Sequence, residues 1–234
     1  MIDRYAIHST FQEITERYGL TGEEEFMIPN FNASPSQSLP VITHTNSKEI
    51  TFVNWAIISE MANNKTVSPK LLSIPIDTVL KKNSIKNALV KSRCIIPCNG
   101  FFAWKQYGKK RKVPHYFKHP EMQIVSMVGI WEEYEDIDGK IKKTFKILIK
   151  PNSTGNVEFG NLTPVLIKKD DEKKFIDDYS TIDELVDIIM KEDIHKELIN
   201  YSVSSMITNP KYNRKELIEP HAQVDQLGNY TLFE

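Results

Sequence analysis

From Arg93 to Phe117 the chain reads RCIIPCNGFFAWKQYGKKRKVPHYF, three apolar or aromatic runs cut at Asn99-Gly100 and at Gly108. The first run meets Pro97, turns at Asn99-Gly100 and resumes as an aromatic strand into Lys105. Gly108 then separates FFAWKQY from VPHYF, which predicts a hairpin whose loop is GKKRK. Such a segment commits this part of the chain to antiparallel sheet. Its neighbours agree, because Gln123 to Glu133 and Lys143 to Lys150 alternate as long strands joined by the acidic turn Glu135 to Gly139.

Around this β region the signals are mixed. Arg4 to Ile7 reads as a strand. Thr10-Phe-Gln-Glu13 is a capping-box pattern, followed by Phe11, Ile14 and Tyr18 at helical spacing until Gly19. Phe26 to Pro40 carries Pro29, Pro35 and Pro40 and reads as loop, Ile50 to Ile58 as a strand, and Ser84 to Val90 as a short helix. Pro164 to Lys168 is a short apolar strand. Asp170 to Asp178 and a second capping box, Thr181-Ile-Asp-Glu184, start two helices running to about Glu197. Their polar face is solvated, and Phe175, Ile176, Leu185, Ile188 and Ile189 form the apolar stripe. The C-terminal stretch after Tyr201-Ser-Val-Ser204 reads as loop-rich through Pro210 and Pro220. No internal repeat and no long polar linker interrupts residues 1–234, so the expectation is a single α+β domain, mostly antiparallel and barrel-like, with peripheral helices.

Composition narrows the function classes. At 234 residues, with 40% hydrophobic and 26% charged residues, the chain has enough length for a sizeable core. A net charge of −1 excludes a generally basic nucleic-acid coat but not a local basic groove. No apolar run is long enough for a membrane span, and the first residues do not resemble a secretory signal. Cys94 and Cys98 are too few for a disulfide scaffold and too few for a zinc site; they read as small buried thiols in a cytoplasmic protein. The six histidines form no metal-spaced motif. His115 and His119, between Pro114 and Pro120, read as surface residues. Neither a cofactor nor a metal is expected, and the oligomeric state is not written in these motifs.

Eight segments, in order, resemble the SRAP family (SOS response-associated peptidase, or abasic-site-processing family). Met1 to Ala6, MIDRYA, is similar to its opening Met-Cys-Gly-Arg-Tyr/Phe, and Pro29 to Pro35 to its Tyr/Phe-Asn-x-x-Pro loop. Trp55-Ala-Ile-Ile looks like its Trp-Gly-Leu-Ile strand, and Arg93 to Lys105 like Arg-Cys-Leu-Ile-Pro-x-x-Gly-Phe-Tyr-Glu-Trp-Lys. Lys110 to Phe117, Val128 to Glu132, Asn161 to Ile167 and Glu216 to Pro220 match the remaining pieces. The resemblance implies a known chemistry. Removal of Met frees an N-terminal cysteine whose amine attacks the aldehyde of an abasic site in single-stranded DNA. The adjacent thiol then closes a thiazolidine, while an asparagine, a glutamate and a histidine assist and arginines hold phosphates.

Carried over position by position, that set is absent. Ile2 stands at the nucleophile, and its bulk is expected to prevent removal of Met1. Ser73 stands at the asparagine, Pro75 at an arginine, Ala103 at the glutamate and Gly160 at the histidine. The expectation is therefore a degenerate member without the family catalysis. What remains is a basic stretch in which Lys105, Lys109, Lys110, Arg111 and Lys112 interleave with Tyr107, Tyr116 and Phe117, as single-strand binding requires. Arg4 occupies the family's arginine position. The plainer readings are a solvated hairpin tip and, for Arg4, a structural ion pair. Two other functions stay open: a reversible imine formed by the Met1 amine with an abasic aldehyde, and a module that binds a peptide or small ligand in the altered cleft.

Overall fold

The computed structural model describes residues 2–21, 27–56, 72–107, 111–135, 139–152, 159, 162–191 and 194–222. Two sheets and a layer of helices make an α+β fold. The first sheet has the order β13-β8-β7-β1-β2, from β1 (Tyr5–Ile7), β2 (Asn30–Ala33), β7 (Gly100–Tyr107), β8 (Arg111–Lys118) and β13 (Ile199–Ser202). The second contains β3 (Ser38–Thr43), β4 (Asn46–Trp55), β6 (Arg93–Cys98), β9 (Val125–Glu135) and β10 (Ile141–Pro151). These five close into a ring, because β9 pairs β10 while β10 also pairs β4. Closure removes the exposed edges that a five-stranded ribbon would otherwise carry. Three short strands extend it: β5 (Ser73–Pro75), β11 (Leu162–Pro164) and β12 (Leu166–Ile167). Among the described residues all pairings are antiparallel except those of β10 with β4 and β5.

Alternation along β6 distributes the core. Cys94, Ile96 and Cys98 face one cluster, with Tyr5, Trp55, Phe101 and Phe145 from both sheets. Ile95 faces the other, with Val79, Leu89, Phe175, Leu185 and Ile189 from the helices. Those helices are α2 (Ile76–Lys81), α3 (Asn83–Ser92), α4 (Lys169–Ile176) and α5 (Ile182–Met190). A third, smaller cluster joins Phe102 and Tyr116 to Val203, Ile207 and Leu217, so the C-terminal segment covers the outer face of the first sheet. Gly129 lets β9 and β10 approach: a Cβ there would sit 2.5 Å from the Lys146 carbonyl oxygen.

Both capping boxes form. Thr10 and Glu13 close the start of α1 (Phe11–Tyr18), which ends at the left-handed Gly19, and Thr181 and Glu184 close the start of α5. Several expectations are corrected. Residues 27–40 are not all loop, since β2 and the first part of β3 lie there; Pro40 is accommodated because β6 ladders only Ile42 and Thr43, leaving it paired on the β4 side alone. Strand β4 begins earlier than Ile50, and the stretch after Leu162 is two strands broken at Val165. Helix α5 stops at Met190, and Ile194–Glu197 is a separate 3-10 turn. Ahead of the C-terminal stretch, Ile199–Ser202 forms β13, whose backbone pairs with β8. Arg111 and Lys112 belong to β8 rather than to a loop. Residues 57 and 58 of the strand expected over Ile50 to Ile58, and 136–138 of the acidic turn, lie outside the described residues.

Candidate functional site

The β7–β8 register builds the site. Phe101, Ala103, Lys105 and Tyr107 lie on one face of the hairpin, opposite Phe117, His115, Val113 and Arg111. Phe101 and Phe117 stack with centroids 5.2 Å apart, and Phe159 meets Phe117 and His115 edge-on at 4.9 Å each. Ala103 is thus a half-buried methyl group in an aromatic surround, with no carboxylate in its place. Further along the same face, the Tyr107 ring lies 5.0 Å from the Lys105 ammonium and 6.0 Å from the Arg111 guanidinium. Lys112 pairs with Gln106 and so belongs to the opposite face. Strand alternation divides a basic run that is continuous in sequence. Lys109, Lys110 and Gly160 lie outside the described residues.

At the amino-terminal end, Ile2 is 3% exposed and packs in the inter-sheet core. Arg4 is held to β7 through its carbonyl, which accepts the Phe102 N–H at 3.2 Å, and its guanidinium donates to the Asp3 carbonyl at 2.7 Å. The register set by Tyr5 opposite Phe101 carries Asp3 to the level of Ala103. Burial lifts the Asp3 carboxyl above the usual carboxylate range, with Arg4 opposing, and Oδ1 is sealed without a hydrogen-bond partner. Burial likewise lowers the Arg4 guanidinium from its usual value, opposed by Asp3. Arg4 therefore bonds a backbone carbonyl and feels the charge of a neighbouring buried carboxyl that the sequence motifs did not single out.

Ser73 is buried on β5, opposite Ile147 of β10, and Pro75 is the residue that precedes α2. Cys94 and Cys98 are free and fully buried, and burial pushes both thiols up, so they stay protonated and inert. The expectation for His115 and His119 is overturned: they are 2% and 8% exposed. His115 Nδ1 lies 3.1 Å from Asn200 Oδ1, and His119 Nδ1 accepts the N–H groups of Glu121 and Met122 to build a turn. His195 is buried too, its ring 6.1 Å from Phe101. The missed residues are thus Asp3, His115, Phe159 and His195. Only His115 had a local signal, its alternation with Val113 and Phe117. Among the described residues no cluster of His, Cys, Asp and Glu could hold a metal ion, and no helix is long and apolar enough to cross a membrane.

Comparison with known proteins bears on the family and the fold. The family description "SOS response associated peptidase (SRAP)" matches residues 1–210. Abasic site processing protein YoqW of Bacillus subtilis is 27% identical over 226 residues, covering 94% of this chain and 100% of that protein. Abasic site processing protein YoaM of the same organism is 24% identical over 225 residues, covering 94% and 98%. A crystal structure from Bacteroides thetaiotaomicron superposes with a TM-score of 0.78 at 20% identity, covering 93% of this chain and 99% of that one. A second, from Bordetella bronchiseptica, gives 0.68 at 13% identity, covering 86% and 99%. With the family pattern running through nearly the whole chain and the fold shared, this chain belongs to the SRAP family.

Proposed function

We propose that this chain keeps the SRAP fold without the thiazolidine reaction and binds single-stranded DNA sequence-neutrally through the Lys105–Tyr107–Arg111 face. The observation that carries the loss of chemistry is Ile2: an apolar side chain turned into the core stands where an exposed thiol is required. Ala103 cannot move a proton, and the buried thiols have no thiolate. The DNA reading is supported by the names of the relatives, abasic site processing proteins, and by two cations flanking one aromatic ring. That is the pairing of phosphate contact and base stacking that single-strand binding uses. A cytoplasmic location belongs to the same reading, which two free, fully buried thiols suit.

The test is anisotropy of a labelled oligonucleotide across a salt series. Arg111→Ala and Lys105→Ala are each expected to flatten the log–log salt slope by about 0.7 for the one phosphate contact removed. Tyr107→Ala is expected to weaken binding by about 1–3 kcal/mol at every salt concentration. Lys112→Ala, on the opposite face, is expected to leave the slope unchanged. Salt-independent binding, or a Lys112 effect as large as that of Arg111, would overturn the assignment of this face.

One observation favours a second reading, reversible imine chemistry at the amino terminus. The Asp3 carboxyl, held up by burial at the level of Ala103, is suited to donate a proton where the family's glutamate is absent. Asp3→Asn is then expected to reduce borohydride-trapped adduct with abasic DNA by about 10²-fold or more. Trapping that is equal in the variant would sink this role for Asp3.

A further inference from the structure

Across the first sheet from the Ala103 face, an open cavity of about 410 Å³ lies where β8 ends against the C-terminal segment. Tyr116 and Lys118 reach this side because they alternate with His115 and Phe117 along β8. The volume falls within the range of small-molecule sites. His8, Lys118 and Lys215 line it together with Glu121, Glu219 and the Tyr201 ring.

The cavity walls are built rather than incidental. Asn99 accepts the N–H groups of His8 and Ser9 at 2.7 and 3.2 Å, and donates to Ser9 Oγ and the Gln123 carbonyl at 2.8 Å each. His119 fixes the turn bearing Glu121 through two accepted N–H bonds. The Tyr201 hydroxyl donates to the Ile218 carbonyl at 2.7 Å, locking ring to segment. His8 stacks on Phe31 with centroids 5.2 Å apart.

The charges within these walls are not satisfied internally. Among the described residues the Lys118 and Lys215 side chains make neither an ion pair nor a hydrogen bond, although Glu121 and Glu219 line the same cavity. Burial holds the His8 imidazole below its usual pKa, and both lysines push it further down. Glu13 opposes them, but its carboxylate is engaged by the Thr10 N–H and by Gln123. Two unpaired ammonium groups that both act on one imidazole make an anion-receiving cluster, and the two carboxylates of the same lining offer acceptors to hydroxyl or amino groups.

We propose that this cavity binds a phosphate ester, with Lys118, Lys215 and His8 receiving the phosphate and Glu121 and Glu219 the donor groups of an attached nucleoside. The phosphate belongs either to a free mononucleotide or to the end of a DNA strand. The site does not depend on the Lys105–Tyr107–Arg111 face.

Calorimetric titration of the full chain with adenosine 5′-monophosphate, inorganic phosphate and a 5′-phosphorylated oligothymidylate distinguishes the two sources. Millimolar or tighter binding of the mononucleotide is expected, weakened about ten-fold or more by Lys118→Met and by Lys215→Met. Arg111→Ala should leave it unchanged, so failure here and failure of the DNA-binding face are separable. Binding by the oligonucleotide alone, weakened by the same two variants, assigns the phosphate to a DNA end. The bound phosphate should also raise the His8 pKa, read by NMR titration with Lys118, Lys215, Glu13, Glu121, Glu219 and His119 as the facing groups. Thermal melting confirms that the variants fold. If none of the phosphates binds at millimolar concentration, or if folded variants bind as well as wild type, the proposal is wrong.

Discussion

Single-stranded DNA carrying one abasic site is expected to leave incubation with this protein free of any heat-stable adduct. A thiazolidine needs an amine and a thiol on adjacent atoms at an open surface. Residue 2 offers no thiol, because its side chain is isoleucine, and that side chain lies 3% exposed in the core. The two thiols that do exist are sealed between the sheets and held protonated by burial. Denaturing gels with and without borohydride read the result. An adduct that survives heating without reductant would show that another nucleophile has taken over and would end the reading of lost catalysis. An adduct found only with borohydride would instead support the reversible imine, with Asp3→Asn as its next test. Salt-sensitive binding without adduct is the outcome expected of the Lys105–Tyr107–Arg111 face.

The second large effect concerns stability. Arg17→Met is expected to destabilise the fold by about 3 kcal/mol, roughly 6–12 °C in Tm. The Arg17 guanidinium grips Glu172 with two bonds, 2.9 and 2.7 Å, tying α1 to α4. Ser126 Oγ donates to the same carboxylate at 2.6 Å and lies 2.7 Å from the Tyr18 hydroxyl. Side-chain exposures of 18% for Arg17 and 9% for Glu172 leave little water to take over either charge. Burial lowers the Arg17 pKa, but the hydrogen bonds and charge of Glu172 outweigh it and leave it raised. Removing one partner strands a buried carboxylate, whereas removing both strands none, so Arg17→Met/Glu172→Met should recover much of the loss. Urea denaturation of the two single variants and the double variant measures the coupling. Additive losses would show that the pair contributes packing rather than electrostatics.

Much of the framework was legible because its causes are local. A threonine three residues before a glutamate satisfies two helix N–H groups whatever the rest of the chain does, and α1 and α5 begin where those boxes predict. The β7–β8 and β9–β10 hairpins follow from alternation on either side of short polar turns. Strands β2, β3 and β13 have weaker local signals, with proline in or near the first two. They become strands because partners distant in sequence complete their ladders, β8 for β13 and β1 for β2.

That residues 2, 73, 103 and 160 are isoleucine, serine, alanine and glycine was determined by the sequence alone, since the absence of a thiol or carboxylate is a matter of composition at a position. What stands around those positions was decided only by the tertiary structure. The hairpin register set Lys105 and Arg111 about one tyrosine and sent Lys112 to the other face. The pairing of β1 with β7 carried Asp3 to the level of Ala103, and burial then raised its carboxyl. Packing buried His115 and His119, which their proline neighbours had suggested were exposed. The physical reason is the same in each case. A residue's identity fixes which proton or charge it can carry, but its solvation and neighbours arise from contacts tens of residues away, which local sequence does not encode.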